Sequence, residues 1–206
     1  SGVRARIVIR DIKRRRLTVA WTGNCRCGLA ERREVEVDQN KEYGDAVFVG
    51  RKNMKIKKKA FMKPLTQDHT VERSDERARV MSAGAHFRPS KTGPHEICAP
   101  GEHWPGIPVT RCLGNLVAHK YGVIHVPEVT DVGLDETDNE ADFAVIATDG
   151  IWGVIKDSEA LFVLREFYEE NLIYGIDQVV ARARNRWDQK ELKKVVDDMT
   201  MLVMRL

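Results

Sequence analysis

Two carboxylate positions in this sequence have the surroundings that a metal ligand needs. Asp149 closes the apolar run Phe143-Ala144-Val145-Ile146-Ala147 and is followed by Gly150, where the backbone can turn sharply. Asp197 and Asp198 stand immediately before Met199-Thr200-Met201-Leu202-Val203. A carboxylate at the rim of a buried strand loses hydration and must recover that energy from hydrogen bonds, a cation or a metal. Hard divalent cations such as Mg²⁺ and Mn²⁺ prefer oxygen ligands of this kind. Ordinary loop chemistry remains an alternative at this point, because Asp-Gly is a common turn and Asp-Asp can end a loop before a strand.

The elements that would position these carboxylates follow from hydrophobic periodicity. Asp142 to Thr148 is a short continuous apolar run, which suits a strand buried on both faces. Met199 to Leu206 is a second apolar strand at the end of the chain. Near the start, Val3, Ala5, Ile7 and Ile9 alternate with Arg4, Arg6, Val8 and Arg10, a strand with one apolar face. After the basic turn Lys13 to Arg16, Leu17-Thr18-Val19-Ala20-Trp21 completes a hairpin, and Cys27 to Val37 adds another strand.

Residues 38–63 are polar, basic and weakly periodic, and read as a long loop or insertion. Ser74-Asp75-Glu76-Arg77 looks like a helix start with a capping serine, and Gly84 is its stop. Residues 86–108, rich in proline and glycine, read as irregular. One helix begins at Asp157-Ser158-Glu159 and a second runs from about Ile176 to Trp187. Strands, helix, loop, strand, helices, strand is the order of an α+β domain with antiparallel sheets covered by helices.

Composition narrows the function classes. The 206 residues suit one large domain, with 42% hydrophobic and 32% charged residues. No apolar run approaches the roughly 20 residues of a membrane helix, and no signal-peptide pattern opens the sequence. Cys25, Cys27, Cys98 and Cys112 lack the paired spacing of a zinc site and read as reduced thiols of an intracellular, cytoplasmic or nuclear protein. The net charge of +3 is unevenly spread: residues 1–63 hold 18 Lys and Arg against 7 Asp and Glu, and the remainder holds 16 against 24. The runs Lys13 to Arg16 and Arg51 to Lys59 could dock an acidic protein, lipid or nucleic acid, but solvated turns and a surface insertion rank ahead.

Six segments, in order, resemble the protein phosphatase 2C family of metal-dependent PPM-type phosphatases. Leu17 to Arg26 is similar to "L-x-V-A-N-x-G-D-S-R". Leu65-Thr66-Gln67-Asp68-His69, with Asp75 to Val80 and Ala83-Gly84, is similar to "L-T-x-D-H" and "E-x-x-R-I-x-x-A-G". Val109 to Asn115 is similar to "V-S-R-A-L-G-D", and Gly122-Val123-Ile124 with Val126 to Val129 to "G-V-I-x-x-P-E-V". Phe143 to Trp152 is similar to "F-L-I-L-A-S-D-G-L-W", and Asp197 to Thr200 to "D-N-M-T".

The resemblance implies a four-layer αββα sandwich spanning residues 1–206, with a metal pair at one end. There a metal-bound hydroxide attacks phosphoserine or phosphothreonine in a protein substrate. It makes Asp149 and Asp197 carboxylates of an Mg²⁺ or Mn²⁺ pair, Asp68 a ligand of a weaker third metal, and Gly150 the turn beside the site. Arg111 is a candidate phosphate or partner contact, with a charge-paired structural arginine at least as good a reading. His69 reads as a local hydrogen-bonding residue, and Trp21 and Trp152 as packing aromatics.

The departures from the family bear on activity. The "D-G-H-G-G" motif, whose aspartate bridges the metals, is not in this sequence, and Ser1-Gly2 is similar to the end of "S-G-S-T-A". Asn24, Asn115 and Gly153 stand where the family has aspartates, so each withholds a negative charge. The expectation is a domain impaired as it stands and completed by an N-terminal segment or a second chain. The alternative is a pseudophosphatase that acts as a binding or scaffold module. Elements of the sandwich lying outside this sequence would leave apolar sheet faces and open edges exposed.

Overall fold

The computed structural model describes residues 2–38, 54–90, 93–134, 140–189 and 196–206. The chain runs from β1 (Gly2–Val3) into β2 (Ala5–Asp11), β3 (Arg16–Thr22), β4 (Arg26–Asp38) and β5 (Met54–Pro64). Helix α1 (Ser74–Ser82) then leads to three short strands, β6 (His86–Arg88), β7 (Glu96–Cys98) and β8 (Pro105–Ile107). Next come β9 (Leu113–Gly114), α2 (Leu116–His119), β10 (Glu128–Gly133) and β11 (Glu140–Ala147). Three helices, α3 (Asp149–Trp152), α4 (Asp157–Glu166) and α5 (Leu172–Gln189), precede the last strand, β12 (Met201–Arg205).

Two antiparallel sheets form the expected α+β sandwich. One has the order β10-β3-β2 and the other β12-β11-β4-β5. Leu17, Val19 and Trp21 of β3 pack on Cys27, Leu29, Leu65 and Ala144, which fills the space between the sheets. The opposite face of the four-stranded sheet presents Ala30, Phe143, Val145 and Ala147 to α3, α4 and α5, against Ile151, Trp152, Leu161, Leu164, Val179 and Ala183. Strand β11 therefore has apolar neighbours on both faces, which accounts for its uninterrupted hydrophobic run. Trp21 and Trp152 are both core residues. A third cluster, away from the sandwich, joins Val71 and Val80 to Ile97, Val109, Cys112, Ala118 and Val123.

The orientation of β2 reverses the simple reading of its alternation. Ile7 and Ile9 are 60% and 58% exposed, whereas Val8 packs on the inter-sheet core. The guanidinium nitrogens of Arg6 are buried, with no hydrogen-bond acceptor among the described residues. Burial pushes the pKa of Arg6 down. Ile7, Ile9 and Val129 thus form an exposed apolar outer face on the three-stranded sheet.

Three local expectations are corrected. Met54–Pro64 is a strand, paired with β4 from Asp38 opposite Met54 to Gly28 opposite Pro64, so part of the expected loop is sheet. Its period-2 pattern, Met54, Ile56, Ala60 and Met62 against Lys55, Lys57, Lys59 and Phe61, is masked by lysine at Lys58 as well. Ala60 and Met62 pack on the helix-side core. The remainder of the expected insertion, residues 39–53, lies outside the described residues. Ser74 is the first helical residue rather than the cap, since Arg73 occupies the extended capping position without a side-chain cap bond. Residues 86–108, read as irregular, contain the three-stranded sheet β6-β7-β8. Gly84 ends α1 as expected, with φ +79°.

Candidate metal centre

The ends of β11 and β12 are tied together at Thr148. Its amide donates to Thr200 O at 3.1 Å. Its hydroxyl donates to Asp198 O at 3.0 Å and accepts from the Thr200 amide at 3.1 Å. This clamp brings the Asp197-Asp198 segment beside Asp149, the first residue of α3. Gly150 is needed for close approach rather than for an unusual φ: a Cβ there would lie 2.4 Å from Asp198 O. From the other side, the Trp187 indole of α5 donates to Gly150 O at 2.7 Å.

The carboxylate of Asp149 is already engaged within the chain. Its Oδ2 accepts from Arg4 Nη1 at 2.8 Å and from Asn24 Nδ2 at 2.8 Å. Asn24 is buried, and its own Oδ1 has no hydrogen-bond partner among the described residues. Arg4 lies across Gly23, where a Cβ would come within 2.8 Å of the arginine Cβ and Cγ. Burial pushes the Asp197 carboxyl up from its ordinary value, and the negative charge of Asp149 adds to that rise. Asp197 Oδ1 accepts from the Asp198 amide at 2.9 Å.

Asp68 is held elsewhere, in a two-point bond from Arg26 Nε at 3.1 Å and Nη2 at 2.9 Å. Gly153 donates its amide to Asp149 O at 2.7 Å, and a Cβ at 153 would lie 2.8 Å from the same oxygen. Asn115 adopts a left-handed conformation, φ 54° and ψ 52°, which asparagine tolerates better than most residues, at the start of α2. His69 is fully buried, accepts from the Gly23 amide through Nδ1 at 3.1 Å and stacks on Trp21. Burial and then Arg111 push its pKa down, which favours a neutral ring.

Arg111, read from the sequence as a phosphate or partner contact or, at least as readily, a charge-paired structural arginine, follows the second reading and turns its guanidinium to acids inside the protein. It donates to Glu76 Oε1 through Nε at 2.9 Å and Nη2 at 2.6 Å, to Glu128 Oε1 at 2.8 Å and to Val126 O at 3.1 Å. Glu76 also receives Arg79 and the Thr110 hydroxyl. Burial alone would raise the pKa of Glu76, but Arg79, Arg111 and Thr110 hold it well below the carboxylate range.

Among the described residues, one trio of acids has ligand atoms within 4.8 Å of one another: Asp75, Glu76 and Glu128. Arg73 binds Asp75 and Glu128, while Arg79 and Arg111 bind Glu76, so three guanidiniums balance three carboxylates. Such a network is a structural tie rather than a cation site.

The residues present do not fit a two-cation centre. Asp149 and Asp197 are neighbours, but Asp68 is paired with Arg26, position 153 offers no side-chain ligand, and Asp149 faces a guanidinium. Sequence reasoning missed Arg4, for which the alternation of β2 gave no signal because it does not say which face turns inward, and missed the pairing of Arg73 and Arg79 with the acids around Glu76.

Two antiparallel sheets flanked by helices, with an acidic corner where two strands end, define the α+β sandwich class of this domain. The family model described as Protein phosphatase 2C matches residues 1–190, and the chain belongs to that family. Among curated relatives, "Probable protein phosphatase 2C 12" of Oryza sativa subsp. japonica is 31% identical over 144 residues, covering 69% of this chain and 36% of the relative. "Probable protein phosphatase 2C 48" of the same organism is 29% identical over 140 residues, covering 67% and 38%. The chain thus spans under two-fifths of the length of these relatives. A solved serine-threonine phosphatase 2C from Toxoplasma gondii shares the fold with TM-score 0.64 at 18% identity, over 93% of this chain and 54% of that one.

Proposed function

We propose that this chain is a phosphatase 2C-type module that does not hydrolyse phosphoserine or phosphothreonine by itself and serves to bind a protein partner. The observation that carries this reading is the dispersal of the expected ligands: Asp68 is held by Arg26, Asp149 by Arg4 and Asn24, and residue 153 is glycine. A two-cation phosphatase mechanism needs carboxylates to hold the two cations, which would lower the pKa of a shared water and neutralise charge on the phosphoryl group. Calorimetric titration with Mn²⁺ and Mg²⁺, run beside a phosphopeptide hydrolysis assay, tests it. Tight binding of two equivalents of Mn²⁺ with turnover would overturn it.

A second reading is favoured by the Thr148 clamp, which keeps Asp149 and Asp197 side by side. Here a segment beyond these residues, or a second chain, supplies the missing carboxylate and covers the apolar face at Ile7, Ile9 and Val129. The substrate is then a phosphorylated protein, and the cofactor is Mg²⁺ or Mn²⁺. Hydrolysis of a phosphopeptide at millimolar Mn²⁺ by the longest form of the protein distinguishes the two readings.

A further inference from the structure

From the contact of Arg4 with Asp149, we infer that Arg4 is a built-in counter-cation: its guanidinium takes the place of a divalent metal ion at Asp149. The Arg4 side chain is placed for this by its surroundings. It precedes β2, whose alternation turns Arg6 and Val8 inward and Ile7 and Ile9 outward. Its stem is pressed onto Gly23, with room only for hydrogen on that residue, and its Nη1 reaches Asp149 Oδ2 at 2.8 Å. Asn24 Nδ2 donates to the same oxygen at 2.8 Å, so two N–H donors converge on one carboxylate oxygen. An aspartate held this way needs no metal to offset its desolvation. A cation approaching Asp149 must displace the guanidinium and meet its positive charge.

The inference deepens the functional reading above and rests on it in one respect: both take Asp149 and Asp197 as the surviving carboxylates. It adds a specific cause for weak metal binding, seated in one side chain. The Thr148 clamp and the close approach of Gly150 to Asp198 O hold the Asp197-Asp198 segment beside Asp149, so a second carboxylate is at hand once the arginine is gone. Mn²⁺ or Mg²⁺ is often held by one or two carboxylates with water completing the shell.

The experiment compares the full chain with its Arg4→Ala, Arg4→Gln and Arg4→Lys variants. Mn²⁺ affinity is read by calorimetry and by loss of the aqueous Mn²⁺ resonance, and the thermal midpoint is followed against Mn²⁺ concentration. Arg4→Ala should bind Mn²⁺ at least about tenfold more tightly than the wild type, about 1.4 kcal/mol, and gain thermal stability with added Mn²⁺. The gain should vanish in the Arg4→Ala/Asp149→Asn double variant, and Arg4→Lys should behave as the wild type. Arg4→Gln, which keeps the side-chain length without the charge, carries the same comparison if the alanine variant does not fold. Unchanged Mn²⁺ affinity in a folded Arg4→Ala or Arg4→Gln protein overturns the counter-cation and leaves catalytic silence standing. Phosphopeptide turnover by the wild type at millimolar Mn²⁺ overturns the functional reading whatever the variants do.

Discussion

Replacing Gly150 by alanine sets two effects of opposite sign against each other. Gly150 lies inside α3, so alanine should gain about 1 kcal/mol of helix propensity. The new methyl group, however, would meet Asp198 O at 2.4 Å, Asp198 C at 3.0 Å and Met199 Cγ at 3.1 Å. Two of those atoms are backbone, and Asp198 O already accepts the Thr148 hydroxyl, so the neighbour cannot swing aside without breaking the clamp. Overpacking against such neighbours costs about 1–3 kcal/mol, and the clamp adds about 1 kcal/mol when lost. The net expectation for Gly150→Ala is a destabilisation of about 1–3 kcal/mol, read as a fall of roughly 2–12 °C in the thermal midpoint. Urea unfolding gives the free energy directly. Gly84→Ala is the control: beyond its chain neighbours, no atom of the described residues lies within 4 Å of its Cβ position, and the φ of +79° opposes the change. Its expected cost is about 1–2 kcal/mol. A Gly150→Ala protein as stable as the wild type would refute the close approach of the two strand ends.

Further perturbations read other parts of the structure. Phe143→Ala removes a fully buried ring stacked on Tyr168 and should cost about 3–5 kcal/mol in urea unfolding. Glu76 has its pKa depressed from an ordinary 4.5, so its stabilisation is full above that value and drains as pH falls towards the folded-state pKa. Glu76→Gln should therefore be less stable at neutral pH and show a shallower acid limb in stability against pH. Cys25 is half-buried while Cys27, Cys98 and Cys112 are buried, so one thiol should react with an aromatic disulfide reagent in the native protein and four in denaturant. Trp187→Phe loses the indole bond to Gly150 O and should cost about 1 kcal/mol beyond any packing change.

Much of the sandwich was legible because buried strands announce themselves. The run ending at Asp149 has to be apolar throughout, since Phe143, Val145 and Ala147 face helices and Ala144 faces the other sheet. The pairing of β2 with β3 was equally plain from two alternating runs across a short turn. What alternation cannot tell is which face turns inward: the aliphatic side of β2 looked like the core side, yet Val8 and Arg6 point in and Ile7 and Ile9 point out. Strand β5 was hidden by lysines at successive positions, which erase the period-2 signal. At the site, only the family resemblance put Asp149 and Asp197 together; the pairing of β11 with β12, which brings their segments side by side, was not read from the residues. The partners of Asp68, Asp149 and Arg111 did not, because each lies far away in sequence and long polar side chains choose among several acceptors only once the fold is formed.

The bond from Trp187 to Gly150 has a mechanical consequence. Helix α5 has 18 residues, about 27 Å of rigid rod at 1.5 Å per residue. Its indole grips the second residue of α3, whose first residue is Asp149. The acidic corner is therefore not an isolated loop end but the short arm of a lever, and whatever tilts the outer length of α5 pulls on the backbone that carries Asp149.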